Sequence, residues 1–363
     1  MNIAVFGLGA VGQPLGYVLK EAGHNVDYYD RKGQFITSHY GKKYFEVELV
    51  EIADLGQTVT KHKVNLSTKS HEITFNCYDL IIISVGYLNI PKVASVLKKK
   101  LNLSASLPPI QFLENYYEPE KLFLDEFPLY PDKSLIFGIP DIISYRTDKN
   151  YTKALYPFYF MLGDKGIASN LNNPHFVYQE NVKTAFLQRL CSHNTAHNML
   201  AYLGNSKGYH YISEAIADRE IKEKMVAALR EGAEGLVYKY GISMEAQMQK
   251  IEEEVNKLFV GNFNDPIARV ARTPIKKLTP FERFTLPAKL AYEAGVFPET
   301  LCEGMAYLLK YNDPNDNECI TLAQKVESDG VEETLFVYTG LELQHPIVKR
   351  VKEIYLSISE ENI

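Results

Sequence analysis

Residues 2–30 read NIAVFGLGAVGQPLGYVLKEAGHNVDYYD, and this stretch decides the fold of the first half of the chain. A short apolar run is followed at once by glycines in the spacing Gly-x-Gly-x-x-Gly, at Gly7, Gly9 and Gly12. Apolar residues then recur at helical spacing until Gly23, and a second apolar run leads to Asp30. A strand, a glycine turn, a helix and a second strand in this order are typical of a dinucleotide-binding fold.

Each glycine has its own physical role in such a turn. Gly7 permits the tight turn, Gly9 lets the backbone approach a pyrophosphate, and Gly12 lets the helix pack closely on the sheet. The helix N-terminus offers N–H groups and the positive end of its dipole to the phosphates. We therefore expect these glycines to bind a dinucleotide. A glycine-rich turn in an α/β unit without a cofactor is the alternative.

The residue that follows the second strand indicates which dinucleotide binds. Asp30 is placed to accept hydrogen bonds from a ribose 2′-hydroxyl, which favours NAD. The adjacent Arg31 could instead meet the 2′-phosphate of NADP. We expect NAD, because an exposed arginine after a strand is common and Asp30 therefore carries more weight.

Later segments predict more strands of a parallel α/β sheet. Residues 80–86, LIIISVG, form a continuous apolar run of the kind that is buried on both faces, and its end, Val85-Gly86, is expected to face the cofactor. Residues 109–113 and 134–143 are also predicted as strands, with helices between the strands. The alternating polar segment 42–76 predicts a small β insertion or an irregular crossover.

The second half of the chain is predicted to be almost entirely helical. Helical spacing covers residues 181–204, 210–240, 243–260, 280–295, 298–311 and about 346–358. We therefore expect an NAD-binding Rossmann-type α/β domain at 1–178. A mostly α-helical domain at 179–363 would follow it and carry the substrate and catalytic groups.

The helix predicted over 181–205 carries an unusual polar edge, made of Arg189, His193, Asn194 and His197. At about 100° per residue, these side chains spread over about 140° of a regular helix. Apolar side chains cover much of the remaining circumference, so the helix should be buried, and buried polar groups need partners. We expect this edge to line a cavity. The alternative is the solvated face of an amphipathic helix.

The composition excludes several classes of partner. With 39 basic and 45 acidic residues the net charge is −6, so neither nucleic acid nor a membrane surface is an expected partner. No apolar run approaches the roughly 18–20 residues of a membrane span, and no signal peptide is recognisable, so we expect a cytoplasmic protein. Its four cysteines lack zinc-ligand spacing, and we expect buried free thiols and no metal. The oligomeric state stays open.

Residues 189–204, RLCSHNTAHNMLAYLG, resemble the Lys-x4-Asn-x2-His signature of the mannitol-1-phosphate 5-dehydrogenase and long-chain polyol dehydrogenase family. The block 269–283 is also similar to this family, as are the strand end 84–86 and the pair Glu114-Asn115. The resemblance therefore extends over both predicted domains in order, and it is far more specific than the glycine pattern alone.

The resemblance implies an activity and roles for individual residues. Asn115 and Asn194 would donate hydrogen bonds to the alkoxide, and His197 would bind the substrate. The reaction would be hydride transfer between a polyol phosphate and NAD, of the type that converts mannitol 1-phosphate to fructose 6-phosphate. A basic cluster would hold the phosphate of the substrate, through Arg269, Arg272 and Lys276. Ordinary ion pairs with nearby carboxylates are the alternative for this cluster.

One position departs from the family pattern. Arg189 stands where the family has a lysine as its general base, and arginine keeps its proton in proteins. Our hypothesis is that His193, one helical turn from Arg189 and from His197, takes the proton, with its pKa lowered by Arg189. A histidine that only packs in a crowded helix is the alternative. Lys183 is a second candidate base, but it lies about 120° away around the helix.

Other functions share the same order of domains. A ketopantoate-reductase-like or opine-dehydrogenase-like reductase would also place a dinucleotide domain before a helical one. A member of the polyol dehydrogenase family that binds NAD but has lost catalysis is the third possibility, because the position of the base is altered.

Overall fold

The computed structural model describes residues 1–32, 34–37, 44–53, 56–65, 75–147, 151–260 and 265–358. Side chains are described for the same residues except 30–37, 52–57, 254 and 257–260. The chain divides into two compact units, Met1–Phe186 and Leu187–Ile363. No helix among the described residues is long and apolar enough to cross a membrane.

The strands among the described residues all lie in the first unit. They are β1 (Asn2–Phe6), β2 (Asn25–Lys32), β3 (Gln34–Thr37), β4 (Tyr44–Ala53), β5 (Gly56–Asn65), β6 (Leu80–Ile83), β7 (Ile110–Phe112), β8 (Leu135–Ile136), β9 (Gly138–Asp141), β10 (Ser144–Arg146), β11 (Thr152–Tyr156), β12 (Tyr159–Leu162) and β13 (Phe176–Tyr178). The helices of this unit are α1 (Gly12–Glu21), α2 (Ile90–Lys100), α3 (Pro119–Glu126) and α4 (Lys165–Asn170).

The central sheet has the strand order β3-β2-β1-β6-β7-β8. β1 is parallel to β2 on one side and to β6 on the other, and β7 and β8 continue the parallel pairing. The chain therefore reverses its direction of winding at β1, which creates a crevice at the carboxyl ends of β1 and β6. The predicted α/β Rossmann-type fold is confirmed.

Different helices cover the two faces of this sheet. Ile3 and Val5 pack in the apolar cluster that contains the buried residues of α1. Ala4 and Phe6 pack in a second cluster, with the buried residues of α2. Because alternate residues of β1 enter separate cores, the strand has to be apolar at each of its buried positions, from Ile3 to Phe6.

Two predicted strands differ from the structure. β2 does not stop before Asp30 but continues to Lys32, because β3 pairs with it in antiparallel fashion. The predicted strand 134–143 is two strands: β8 belongs to the central sheet, and β9 pairs with β12 in another sheet. At Gly138, where β9 begins, a Cβ atom would lie 2.9 Å from the carbonyl oxygens of Phe112 and Met161. This crowding accounts for a glycine at the point where the chain changes sheets.

The β insertion predicted within 42–76 is present as an antiparallel hairpin of β4 and β5. β4 also pairs in parallel with β11, which completes a four-stranded sheet in the order β10-β11-β4-β5. Residues 66–74 of the predicted segment lie outside the described residues.

The region after residue 181 is helical, as predicted. Its helices are α5 (Val182–Arg189), α6 (Thr195–Ser206), α7 (Ile212–Ala217), α8 (Arg219–Tyr240), α9 (Met244–Val260), α10 (Ile267–Ala271), α11 (Pro274–Leu278), α12 (Thr285–Glu293), α13 (Glu299–Lys310), α14 (Asn317–Thr339) and α15 (Pro346–Ser357). The residues of α6 from Thr195 to Gly204 are all buried, so α6 is a central helix of the second unit.

The structure differs from the prediction in three places: the segment 210–240, the short helices α10 and α11, which were not predicted, and α14. The predicted helix 210–240 is α7 and α8, because Asp218 ends one and caps the other by accepting a hydrogen bond from the backbone N–H of Ile221. α14 was missed. It is interrupted at Gly330, which has φ 85° and ψ 170°, and it buries few apolar side chains. Its helical spacing is therefore weak in the sequence.

Gly12→Ala tests the close contact between the glycine turn and α1. A Cβ atom at residue 12 would lie 1.9 Å from the carbonyl oxygen of Gly7. We expect overpacking to cost about 1–3 kcal/mol, which exceeds the gain of up to about 1 kcal/mol that alanine brings to a helix. The thermal unfolding midpoint should fall by several degrees. Gly9→Ala is the control, because no atom lies within 4 Å of its ideal Cβ position. Equal midpoints for the two variants would contradict the assignment.

Candidate functional site

A cleft of about 410 Å³ opens in the first unit where β1, β6 and β7 end. The predicted residues Gly7, Gly9, Val85, Gly86 and Asn115 all line it. The lining also includes residues that the sequence interpretation had not assigned to a site, among them Tyr29, Asn89 and Pro140. The cleft lies at the winding reversal of the sheet, which is where doubly wound sheets bind their ligands.

The three glycines have different surroundings. At Gly7, which has φ 100°, a Cβ atom would lie 2.0 Å from the carbonyl oxygen of Ser84. The glycine at residue 12 is required by contact with the turn itself, as described above. At Gly9 the ideal Cβ position meets no atom within 4 Å. Two glycines are thus needed by the packing of the protein, whereas Gly9 borders open space in which a ligand can approach the backbone.

Glu114 fixes the loop that follows β6. Its buried carboxylate accepts hydrogen bonds from the backbone N–H groups of Val85, at 2.7 Å, and Gly86, at 2.9 Å. The side-chain amide of Asn89 donates to the carbonyl oxygen of Val85 at 2.9 Å. The sequence analysis named Glu114 only as part of the pair Glu114-Asn115 that is similar to the polyol dehydrogenase family. Its position directly after an apolar strand was the one sign in the sequence that it could help to form the cleft.

Tyr29 contributes an aromatic wall to the cleft. Its hydroxyl lies 2.7 Å from that of Tyr78, which donates to Asp27 at 2.9 Å. Burial raises the pKa of Tyr29 to about 12, so its phenol stays neutral. The side chain of the next residue, Asp30, lies outside the described residues, and so does that of Arg31. The predicted choice of NAD through Asp30 therefore stays a prediction.

The helix that carries the predicted polar edge contains a π-helical turn at Leu190–Asn194, between α5 and α6. In a regular α-helix, residues i and i+5 point about 140° apart; a π turn brings them together. Arg189 and Asn194 are five residues apart, and Nη1 of Arg189 donates to Oδ1 of Asn194 at 2.9 Å. The angle predicted for Asn194 was therefore wrong. The carbonyl oxygen of Leu190 accepts from the backbone N–H of Thr195, in the π-helical pattern, and from the hydroxyl of the same residue at 2.8 Å.

All four predicted polar side chains on this helix are buried. Arg189, His193, Asn194 and His197 are between 5% and 8% exposed. The alternative of a solvated helix face is therefore wrong. Burial of such groups is stable only with partners, and the cluster supplies them.

The two histidines form one chain of contacts. Nε2 of His193 lies 3.2 Å from Nδ1 of His197, with the rings nearly perpendicular at 82°. Nε2 of His197 lies 3.6 Å from Oδ2 of Asp265, which is only 3% exposed. Arg269 donates to both carboxylate oxygens of Asp265. The sequence interpretation did not identify Asp265, because 68 residues separate it from His197.

Two other side chains on or beside the π turn are unsuited to proton transfer. Burial raises the pKa of the Cys191 thiol to about 12, so this cysteine stays protonated and packs in the core. Lys183 lies 2.9 Å from Glu118 and 2.8 Å from Glu120. Burial acts to lower the pKa of Lys183, but the bonds to Glu120 and Glu118 outweigh it and raise this pKa above its usual value. Of the other cysteines, Cys77 is exposed, contrary to the prediction.

The basic side chains of the block 269–283 are partly paired with carboxylates. Besides the pair of Arg269 with Asp265, Nζ of Lys276 lies 3.5 Å from Oε1 of Glu282. Arg272 is exposed, and its Nε lies 3.3 Å from the carbonyl oxygen of Arg269. Of the predicted phosphate ligands, Arg272 is therefore the one that presents its guanidinium to solvent.

Lys277 has a different place from the rest of this block. It is 2% exposed, and its ammonium donates to the carbonyl oxygens of Val270 and Arg272 and to the hydroxyl of Tyr202. Burial, together with the nearby Arg283 and Lys276, holds the pKa of Lys277 well below its usual range. Lys277 thus anchors the backbone that follows α10. No group of His, Cys, Asp or Glu side chains within the described ranges could hold a metal ion.

The two halves of the chain match different protein families. Residues 3–150 match the ketopantoate reductase PanE/ApbA family. Residues 181–357 match the mannitol dehydrogenase C-terminal domain.

The relatives that match include mannitol-1-phosphate 5-dehydrogenases, several of them over nearly their full length. The chain is 28% identical to the enzyme of Anoxybacillus flavithermus, with 96% of this chain and 97% of the relative covered. It is 25% identical to the enzyme of Geobacillus stearothermophilus, with the same coverage of 96% and 97%. It is 38% identical to the enzyme of Geobacillus thermodenitrificans, but over 48% of this chain and 46% of that one.

Solved structures share the fold. The ternary complex of Pseudomonas fluorescens mannitol 2-dehydrogenase with NAD and D-mannitol superposes with a TM-score of 0.72 at 13% identity, covering 100% of this chain and 92% of that one. The 2-dehydropantoate 2-reductase of Geobacter metallireducens gives a TM-score of 0.61 at 15% identity, covering 85% and 99%.

Lys277→Met tests whether this lysine is an anchor. The methionine fills a similar volume but removes the three hydrogen bonds that Lys277 donates to the carbonyl oxygens of Val270 and Arg272 and to the hydroxyl of Tyr202. We expect a loss of about 3 kcal/mol in the free energy of unfolding, measured by urea denaturation. Lys239→Met is the control in the same unit, and it should cost less than about 1 kcal/mol because the ion pair of Lys239 with Glu293 is solvent-exposed. Equal losses for both variants would contradict the anchoring role.

Proposed function

The chain belongs to the family of mannitol-1-phosphate 5-dehydrogenases and long-chain polyol dehydrogenases, and from this premise we propose that it interconverts a polyol phosphate and a ketose phosphate with NAD. The pair mannitol 1-phosphate and fructose 6-phosphate is the proposed type of substrate. The observation that carries the proposal is the buried cluster of Arg189, His193, Asn194 and His197, because such a cluster offers both donors and a base to an alcohol.

NAD is the proposed cofactor, and the cleft of the first unit fits it. The open space at Gly9 admits a pyrophosphate, and the N-terminus of α1 offers it backbone N–H groups. Gly7 and Gly12 shape this turn, Val85 and Gly86 form the opposite edge, and Asp30 would hold the ribose. When bound, NAD accepts the hydride from the substrate carbon or returns it.

The side chains of the second unit have complementary roles in the proposed reaction. Oδ1 of Asn194 accepts from Arg189, and the planar amide therefore turns its –NH2 group to the other side, as a donor to the alkoxide. Arg189 orients this amide and adds positive charge. His197 would position the substrate, and Asn115 of the first unit would serve as the other amide donor.

His193 is the proposed general base. Arginine at residue 189 keeps its proton, the thiol of Cys191 is protonated, and Lys183 is held by two carboxylates. Among the described residues of this helix, an imidazole is the group whose chemistry suits proton transfer near neutral pH.

A second candidate function comes from the first unit, which matches the ketopantoate reductase family over residues 3–150. The match of residues 181–357 to the mannitol dehydrogenase C-terminal domain favours the polyol substrate, because that half carries the proposed substrate groups. The consumption of NADH and of NADPH with fructose 6-phosphate, free fructose and a panel of keto acids separates these functions. Turnover with a keto acid alone would overturn the proposal. Binding of NADH without any turnover would indicate a family member that has lost catalysis.

His193→Gln tests the proposed base. Glutamine keeps a polar side chain of similar reach but cannot take up the proton, so kcat should fall by about 10²–10⁴-fold. The dissociation constant for NADH should stay unchanged, because the cofactor cleft lies in the first unit. His210→Gln is the matched control, since His210 is exposed in the same unit, and its kcat should equal that of the unaltered protein. An unaltered kcat for His193→Gln would rule out this role.

Arg272→Ala tests the proposed phosphate contact. Loss of a charged hydrogen bond at an exposed site should raise KM for fructose 6-phosphate about tenfold. KM for free fructose should stay the same, because free fructose has no phosphate to lose. Arg219→Ala removes an equally exposed arginine that pairs with Glu223, and it should change neither value. An equal change of KM for both sugars in Arg272→Ala would contradict the phosphate role.

A further inference from the structure

We infer that Asp265 is a positioning residue that sets the tautomers of both histidines, so that Nδ1 of His193 is the atom that receives the proton of the substrate. This inference rests on the proposed function for the direction of proton transfer. The arrangement of the tautomers rests only on the contacts within the second unit.

Hydrogen bonds hold both the carboxylate of Asp265 and the backbone around it in place. Arg269 donates to both of its oxygens, and the backbone carbonyl of Asp265 accepts from the N–H of Ile212 at 3.0 Å. Ile267, two residues after Asp265, donates its N–H to the carbonyl oxygen of His210 at 2.8 Å. A buried carboxylate fixed in this way presents a constant negative charge to His197, 3.6 Å away.

This charge determines where the protons of the imidazoles sit. A neutral imidazole carries one N–H, and the nitrogen that faces a carboxylate is the one that keeps it. His197 therefore carries its proton on Nε2, toward Asp265, and its Nδ1 is an acceptor. Nδ1 of His197 lies 3.2 Å from Nε2 of His193, so Nε2 of His193 must be the donor. The basic lone pair of His193 is then on Nδ1.

The order of contacts suits oxidation of an alcohol. In the proposed oxidation the bound cofactor would take up the hydride of the C–H bond, and Nδ1 of His193 would take up the proton of the O–H bond. The resulting imidazolium donates from Nε2 to His197, and the carboxylate of Asp265 stabilises the positive charge through that ring. In the reverse direction the same imidazolium returns the proton to the alkoxide.

The contact with Asp265 gives Arg269 a structural role other than phosphate binding. Its guanidinium uses Nε and one Nη to hold Asp265, in the bidentate geometry that arginine forms with carboxylates. This contact keeps Oδ2 near His197. Within the part of the chain that the structure describes, Arg272 forms no such pair, and it is therefore the residue chosen above to test the phosphate.

The tautomers can be read directly by NMR. In protein labelled with ¹⁵N-histidine, at pH 8 to 9 and without substrate, the nitrogen shifts distinguish the Nε2–H from the Nδ1–H form. Signals are assigned from the variants His193→Gln and His197→Gln. We expect Nε2–H for both residues in the unaltered protein. An Nδ1–H form at either histidine would overturn the inference, and this spectrum requires no variant of Asp265 that folds.

Asp265→Asn then links the tautomers to turnover. The amide can donate to Nε2 of His197, so the Nδ1–H form should become populated at this ring, and kcat should fall about 10²-fold or more. KM and the binding of NADH should change little. Asp218→Asn is the control: it keeps an N-cap for α8, and the side chain of Asp218 contacts Lys207 and Tyr209. Unchanged spectra and kcat in Asp265→Asn would overturn the role of this residue. Since the spectra need no substrate, a lack of turnover in the unaltered protein counts against the proposed function alone.

Discussion

The structure of the second unit depends on a buried guanidinium that must find an acceptor. Arg189 lies in a helix packed on most sides, where an unpaired charge would cost several kcal/mol. The π-helical turn at Leu190–Asn194 meets this demand, because it brings the amide oxygen of Asn194 to 2.9 Å from Nη1. The same turn points the donor side of that amide away from Arg189. A single local departure from α-helical geometry thus stabilises the buried charge and orients a proposed substrate ligand.

The first unit is governed by a steric constraint. Gly7 and Gly12 meet backbone oxygens at distances that exclude any side chain, whereas Gly9 faces open space. The turn between β1 and α1 is therefore compact by its own packing, and of its three glycines Gly9 is the one whose Cβ position borders open space. Glu114 adds a second fixed edge by binding the N–H groups of Val85 and Gly86. The cleft is thus shaped by the backbone contacts of the glycine turn and by the buried carboxylate of Glu114.

The sequence pattern predicted the parallel sheet, the helical second half and the buried polar helix, because each depends on periodicity over many residues. It failed where one residue interrupts the period. The strand 134–143 divides at Gly138, where a Cβ atom would meet two carbonyl oxygens. α14 was missed because Gly330 bends it and its apolar face is sparse. The angles around the central helix were wrong because they assumed 3.6 residues per turn throughout.

The sequence by itself determined the identity of the polar groups: the glycine turn, the two histidines, Asn194, and an arginine where a lysine base would be expected. Only the tertiary structure decided their partners. Asp265 lies beside His197, Arg269 is engaged with Asp265, and Lys277 is an anchor. The physical reason is that a periodic pattern records which face of an element is buried. The partner of a buried charge comes from another element, and chain folding brings the two together across any distance in sequence.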